Sequence, residues 1–358
     1  MIGGHGGNII DVASRIGCAP EDIIDFSSNV NPLGPLPDLV EYLHAHLERI
    51  AVLPDAAARP AINAFAARHE MDPNRILAGN GTTQFIYLIP AALNTQKALI
   101  LGPTYADYAD ACRMHRVSSE YLTADEAAGY FPNMQAVDRA AAAADTVFIC
   151  NPNNPTGVLL RGSEIRDLCR THSQTRFVVD ESYLAFVDRG EKESLLASEL
   201  KNCLVLHSMS KIHRIAGLRL GYLIAVPSVI DVFRPYMQPW SVNGLAQAAA
   251  VFMVEHRHQV DRFINRTRDY ILQQKRSLLG RLKLCPNARL YPSRTLFYLA
   301  RLSGSMDASN LQRRLLETKL LIRNCANFEG LTPYHFRISL QKEDANRQLT
   351  ELLCKILA

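Results

Sequence analysis

Five short apolar runs, at residues 97–101, 146–150, 176–179, 203–207 and 220–226, are separated for the most part by helical segments of 10 to 15 residues. That alternation constrains the fold more than any other feature of the chain. A strand buried on both faces shows an unbroken apolar run, and parallel neighbours need helical crossovers, so βα units stacked into a mostly parallel sheet are expected. Ligands of such sheets bind beyond the carboxyl ends of the strands, and the polar motifs of this chain fall just after strand-like runs.

At 358 residues the chain is long for a single core and suits two domains. Residues 1–35 are irregular, with two glycine pairs and the loop-forming run DFSSNVNPLGP. Helical patterns begin near residue 36 (LVEYLHAHLERI) and recur in RPAINAFAARHE. A break at MQPWSVN (237–243) is followed by one long helix over about 244–282, strand-like segments (ARLYPS, LFYLARL, LLIRNC, FRISL) and a closing helix. The predicted organisation is an N-terminal arm (1–35), a large domain (36–240) and a small α+β domain (241–358).

The net charge of +4 comes from scattered basic residues and indicates no nucleic-acid partner. The eight cysteines form no CxxC or zinc spacing, and most sit in apolar runs where a free thiol is a small hydrophobe. That usage fits a reducing cytoplasm. No signal peptide and no membrane-spanning run are read, so a soluble, cytoplasmic protein without a metal site is expected.

Five motifs carry chemistry. In SMSKIHRIAGLRLGY, Lys211 follows a strand among Ser208 and Ser210; partial desolvation there would lower its pKa and make it a Schiff-base former. Arg219 supplies a fixed cation for a phosphate monoester. The plain alternative is a solvated loop lysine. In FVVDESYLAF, Asp180 closes an apolar strand, where it would either partner a protonated pyridine nitrogen or cap a helix; Tyr183 follows. ICNPNNPTG forces a tight turn that aims Asn153 and Asn154 over a strand end. In LAGNGTTQF, Gly79 and Gly81 permit a close backbone approach, and Thr82 and Thr83 open a helix whose free N–H groups suit a phosphate; a simple turn is the alternative. GPTYADY places Tyr105 where its ring would cover a flat cofactor or pack in the core.

In this order the motifs resemble the fold-type I pyridoxal 5′-phosphate (PLP) enzymes of the aspartate aminotransferase superfamily, near the histidinol-phosphate aminotransferases. The resemblance implies an α/β fold: a large domain with a mostly parallel seven-stranded sheet between helices, plus a smaller α+β domain. It implies that Lys211 carries PLP as a Schiff base, that Asp180 faces the pyridine nitrogen, and that Asn154 and Tyr183 donate to the ring oxygen. Tyr105 would stack on the ring, and Gly81, Thr82, Thr83, Ser208, Ser210 and Arg219 would hold the cofactor phosphate.

HGGN at residues 5–8, DFSSNVNPLG, MQPWSVN and RRLL…LIRNCANFEGL…FRISL further resemble the threonine-phosphate decarboxylases of cobamide biosynthesis. That likeness implies that Arg337 grips a substrate carboxylate or phosphate and that Arg323 binds phosphate. His5, Gly6, Asn29 and Asn154 would line the same end, in a homodimer. On physical grounds Arg323 after LLI and Arg337 within FRISL are partly buried, and buried guanidinium groups need partners. Each charge-assisted hydrogen bond to an anion is worth roughly 1.5–3 kcal/mol, so the pair points to a doubly anionic, phosphorylated amino acid; two structural ion pairs are the alternative.

The match departs at three places. Leu53 stands where the relatives carry a tyrosine that reaches the cofactor phosphate across the dimer, a loss of about 1 kcal/mol or more. Ala216 replaces a usual proline, and His213 and Arg214 are unusual neighbours of the lysine. Decarboxylation of threonine phosphate or serine phosphate is the leading expectation. Histidinol-phosphate amino transfer and a non-catalytic PLP-binding protein are the rivals.

Overall fold

A computed structural model describes residues 6–282, 285 and 287–357. His5, expected near the substrate, lies outside the described residues. Thirteen strands are described: β1 (Ile24–Asp25), β2 (Ile76–Asn80), β3 (Lys97–Gly102), β4 (Ser118–Thr123), β5 (Thr146–Cys150), β6 (Arg176–Asp180), β7 (Cys203–Ser208), β8 (Leu220–Ile224), β9 (Ala288–Leu290), β10 (Phe297–Leu302), β11 (Leu320–Leu321), β12 (Arg323–Asn324) and β13 (His335–Ser339). Seven form one sheet in the order β2-β8-β7-β6-β5-β3-β4. All pairings are parallel except those of β8, which runs antiparallel to both neighbours.

Helices cover both faces, which is why the central strands are apolar throughout. On β5, Val147 and Ile149 enter one core cluster, while Phe148 and Cys150 enter the cluster on the opposite face. Sequence reasoning anticipated five of the seven strands. The two it missed, β2 and β4, are the edges of the sheet. β4 (SSEYLT) is largely exposed, so it lacks the apolar signal, and β2 (ILAGN) is diluted by small residues.

A four-stranded antiparallel sheet, β12-β13-β10-β9, occupies the C-terminal part, and β1 pairs in parallel with β11. The N-terminal segment is thereby stitched to the end of the chain: Phe26 N–H donates to Leu321 O, and Ser339 N–H donates to Phe26 O. Phe26 is fully buried in the C-terminal core.

Two expectations are corrected. The single helix over 244–282 is two helices, Gly244–Glu255 and Arg257–Leu282, broken at His256. Cys285 and Cys354 are joined in a disulfide, 69 residues apart, so not every thiol is free. The helix Glu343–Leu357 packs on Arg257–Leu282 and brings the two together, a tertiary proximity that cysteine spacing does not encode. Among the described residues no helix is long and apolar enough to cross a membrane.

Truncating Phe26 removes a large side chain from a closed core. We expect Phe26→Ala to cost about 3–5 kcal/mol, read as a lower denaturation midpoint; an unchanged midpoint would show that the N-terminal segment is not integral to the C-terminal core.

Candidate active site

The reversal of β8 sets up one end of the site. Its neighbours present their carboxyl ends to one edge of the sheet, so the residue entering β8, Arg219, stands at that same edge. There it meets Gly81, the first residue of the helix Gly81–Ala92 that follows β2. Gly81 has φ +74°, and a Cβ on it would lie 2.5 Å from Arg219 Nη2. The positive φ favours glycine here, and the absent side chain leaves room for the Arg219 guanidinium. Thr82 and Thr83 occupy the first turn of this helix, where backbone N–H groups are unpaired and the helix dipole favours an anion. Ser208 and Ser210 close the cradle from the end of β7. Ser210 N–H donates to Ser208 Oγ at 3.3 Å, while Ser210 Oγ is buried with no hydrogen-bond partner. A buried orphan hydroxyl beside an arginine and a helix N-terminus fits a phosphate group.

Asp180 ends β6 and is buried. Its Oδ1 accepts from Ser182 N–H at 2.9 Å, and its Oδ2 accepts from the Tyr108 hydroxyl at 2.9 Å. Burial pushes its carboxyl up, against the opposing pull of the Ser182 and Tyr108 hydrogen bonds and of the Lys211 charge. No α-helix begins here; a turn leads into the short 3-10 segment Leu184–Phe186, so the helix-cap alternative is not realised. Tyr108 escaped sequence reasoning, although it sits three residues beyond Tyr105 in the same motif. It is buried and stacked on Phe148.

Lys211 is half-buried and opens onto a cavity of about 260 Å³. Burial, reinforced by the positive charges of Arg219 and Arg337, pulls its ammonium down from the usual lysine value to about 8, with Asp180 acting in the other direction. Gly6, Asn29, Tyr105, Asn154, Tyr183, Arg323 and Arg337 line the same cavity, as does Ala216. Gly81, Thr82, Thr83, Ser208, Ser210, Arg219 and Asp180 do not line it. Asp180 is buried at the end of β6, and the others form the cradle at the sheet edge.

The substrate end follows from the period-2 pattern of β13. Phe336, Ile338 and Leu340 turn into the C-terminal core, and His335, Arg337 and Ser339 turn the other way. His335 Nε2 meets the Tyr130 hydroxyl at 2.8 Å. Arg337 donates through Nη1 to Asn154 Oδ1 and through Nη2 to the Ser27 carbonyl. Ser339 Oγ donates to Asn29 Oδ1 at 2.6 Å, and Asn29 Nδ2 donates to the Tyr183 hydroxyl at 3.3 Å. Arg323 on β12 is the register partner of Arg337 and donates to Asn327 Oδ1 at 2.8 Å. Burial lowers the pKa of both guanidinium groups, Arg337's against the opposing charge of Asp25 and Arg323's with added repulsion from Arg337.

The roles of the neighbouring residues sort by geometry. Asn153 braces two loops, receiving the Thr104 hydroxyl at 2.7 Å and donating to Pro103 O at 2.8 Å, while its neighbour Asn154 faces the cavity. Arg214 Nη1 donates to Asn31 O at 2.7 Å, and His213 is buried with its imidazole held down to about 3 by desolvation. Neither lines the cavity: Arg214 fastens the N-terminal loop to the lysine segment. Leu53 is 74% exposed.

The chain belongs to the aminotransferase class I and II family, whose model it matches over residues 21–353. It is a PLP-dependent enzyme. It is 30% identical over 357 residues to threonine-phosphate decarboxylase from Salmonella typhimurium, covering 99% of this chain and 96% of that one. It is 27% identical over 356 residues to histidinol-phosphate aminotransferase from Methanothermobacter thermautotrophicus, covering 98% and 94%. The crystal structure of L-threonine-O-3-phosphate decarboxylase from Porphyromonas gingivalis superposes with a TM-score of 0.82 at 31% identity, over 93% of this chain and 98% of that one.

Only a neutral amine attacks an aldehyde. With the Lys211 pKa lowered to about 8, the amine is protonated below that pH and free above it. The rate at which apoprotein takes up PLP, followed by the growth of visible absorbance, should therefore rise with pH through an inflection near 8 and level off above it. An inflection near the ordinary lysine value would contradict the desolvation described. Lys211→Ala should abolish the lysine-linked absorbance band altogether; a surviving band would remove Lys211 from this role.

Proposed function

We propose that this chain decarboxylates an O-phosphorylated amino acid. L-threonine O-3-phosphate would yield (R)-1-aminopropan-2-yl phosphate, and L-serine O-phosphate would yield ethanolamine phosphate, for the cobamide nucleotide loop. The observation that carries this reading is the pairing of Arg323 with Arg337. Like charges directly opposite on neighbouring strands repel, yet these two share a register position and open on the cavity that holds Lys211. Among the described residues no carboxylate lies within ion-pair distance of Arg337; it is held by an amide and a carbonyl oxygen. A substrate with both a carboxylate and a phosphate supplies the missing negative charge. The similarity to threonine-phosphate decarboxylase over nearly the full length supports the same reading.

Bound PLP supplies an electron sink for the pair released from whichever Cα bond stands perpendicular to its ring. The chain does the rest. Asp180, fixed by Ser182 and Tyr108, would face the ring nitrogen, whose positive charge would hold the carboxyl ionised. Tyr183 and Asn154 would donate to the ring oxygen, Tyr105 would cover one face, and the Gly81–Thr83 turn with Ser208, Ser210 and Arg219 would hold the cofactor phosphate. Arg323 and Arg337 fix the far end of the substrate, and with it the rotation about Cα, so that binding energy is used for orientation. Lys211 Nζ, with its lowered proton affinity, returns a proton to Cα once carbon dioxide has left. Exposed Ile50, Val52 and Leu53 on one segment support a homodimer.

Histidinol-phosphate amino transfer stays the competing reaction because a relative of that activity matches over 98% of the chain. The holoenzyme with O-phospho-L-threonine and no oxo-acid should release carbon dioxide. Amino transfer from histidinol phosphate to an oxo-acid, without carbon dioxide, would reject the proposal. Arg337→Ala should raise KM for the phosphoamino acid about 10- to 100-fold, the worth of one charge-assisted hydrogen bond; an unchanged KM would remove Arg337 from substrate binding.

A further inference from the structure

Asp25, the last residue of β1, does not line the cavity, yet its carboxylate organises the cavity's rim. Oδ1 accepts from Ser27 N–H at 2.8 Å and from the Ser27 hydroxyl at 2.5 Å, and Oδ2 accepts from the Ser28 hydroxyl. Because the Ser27 hydroxyl directs its proton to Asp25, its oxygen offers only lone pairs elsewhere, and it accepts from Gly7 N–H at 2.8 Å. The Ser27 carbonyl accepts from Arg337 Nη2.

Ser27 is thus fixed from three sides. Gly7 has φ +83°, and a Cβ there would lie 2.6 Å from Ser28 Oγ; one on Gly6 would lie 2.5 Å from Ser27 O. The arm therefore approaches this turn more closely than any residue but glycine permits.

An acid beside an anion-binding cavity opposes anion binding by simple charge, so its presence calls for another purpose. Three donors, two hydroxyls and one amide, compensate the carboxylate. Its charge also favours the protonated forms of Arg337 and Arg214, neither of which has a carboxylate within ion-pair distance among the described residues.

We propose that Asp25 is a positioning residue for substrate recognition: by holding Ser27 it sets the carbonyl that orients Arg337 and the hydroxyl that fastens the Gly6–Gly7 arm over the cavity. The inference deepens the phosphoamino-acid reading and rests on it for the identity of the anion. The geometric part, Asp25 to Ser27 to Arg337 and Gly7, is independent of which bond the enzyme breaks.

The test uses PLP-loaded enzyme and two readouts that do not depend on turnover. One is the calorimetric affinity for ethanolamine phosphate, which has no carboxylate to lose; the other is amide exchange in the N-terminal peptide spanning Gly7. Asp25→Ala should weaken binding about tenfold and speed Gly7 exchange by about as much, the worth of about one hydrogen bond to a charged group. Its kcat for O-phospho-L-threonine should stay within about threefold, with the loss appearing in KM. Asp25→Asn keeps an oxygen for Ser27 and offers its amide to Ser28, and should restore most of the affinity.

Wild-type affinity together with wild-type Gly7 exchange in Asp25→Ala overturns the proposal. If that variant does not fold, Ser27→Ala tests the same link, since it removes only the hydroxyl shared by Gly7 and Asp25; unchanged exchange and affinity there overturn the proposal equally. Absence of carbon dioxide release by the wild-type enzyme, with Gly7 still loosened in Asp25→Ala, counts against the reaction and leaves the positioning role standing.

Discussion

A guanidinium buried without a carboxylate must take neutral acceptors or an outside anion, and Arg337 shows the consequences of that constraint. It takes Asn154, 183 residues away in the loop after β5, and the carbonyl of Ser27, 310 residues away in the N-terminal segment. These bonds bring three distant parts of the chain to the rim of one cavity. The β13 pattern makes this achievable. Its apolar residues anchor the strand in the C-terminal core, and its polar residues, His335, Arg337 and Ser339, reach Tyr130, Asn154 and Asn29. Because Arg337 Nε is buried without a partner, the rim keeps an unmet demand for negative charge.

The floor of the site carries the opposite demand. Burial destabilises the charged forms of both Asp180 and Lys211: a cationic heterocycle beside Asp180 would restore its carboxylate, and the free amine of Lys211 is the form that attacks a carbonyl carbon. The sheet supplies the arrangement. Parallel strands deliver Asp180, Ser208 and the Asn154 loop to one edge, and the single reversed strand returns Arg219 to that same edge. The site is therefore a consequence of topology combined with desolvation, and no residue in it acts alone.

Much of this was legible in the sequence because both-face burial forces unbroken apolar runs, and glycine, proline and serine punctuation marks the strand ends. The lysine, the strand-end acid and the glycine–threonine turn stand out that way, whereas the two arginines are pointed to by the family resemblance. What stayed hidden was tertiary. The edge strand β4 is solvated and has no apolar signature. Tyr108 looks like any helix tyrosine until β6 brings Asp180 to its hydroxyl. Asp25 is one acid in a polar run, and only the fold turns its neighbour's carbonyl toward Arg337. The Cys285–Cys354 pairing depends on two helices lying side by side. The unusual His213 and Arg214 face away from the cavity, which their distance in sequence from Lys211 does not reveal.

The proposed function requires the arginine pair to receive the substrate's charge while Lys211 holds the cofactor. A crystal structure of the loaded enzyme with a phosphorylated amino acid bound tests it most directly. It should show cofactor density joined to the lysine or to the bound amine, and an anionic group of the ligand lodged between Arg323 and Arg337. A structure with the cofactor in place and both arginines instead paired to protein carboxylates, the ligand's charge lying elsewhere, would contradict it.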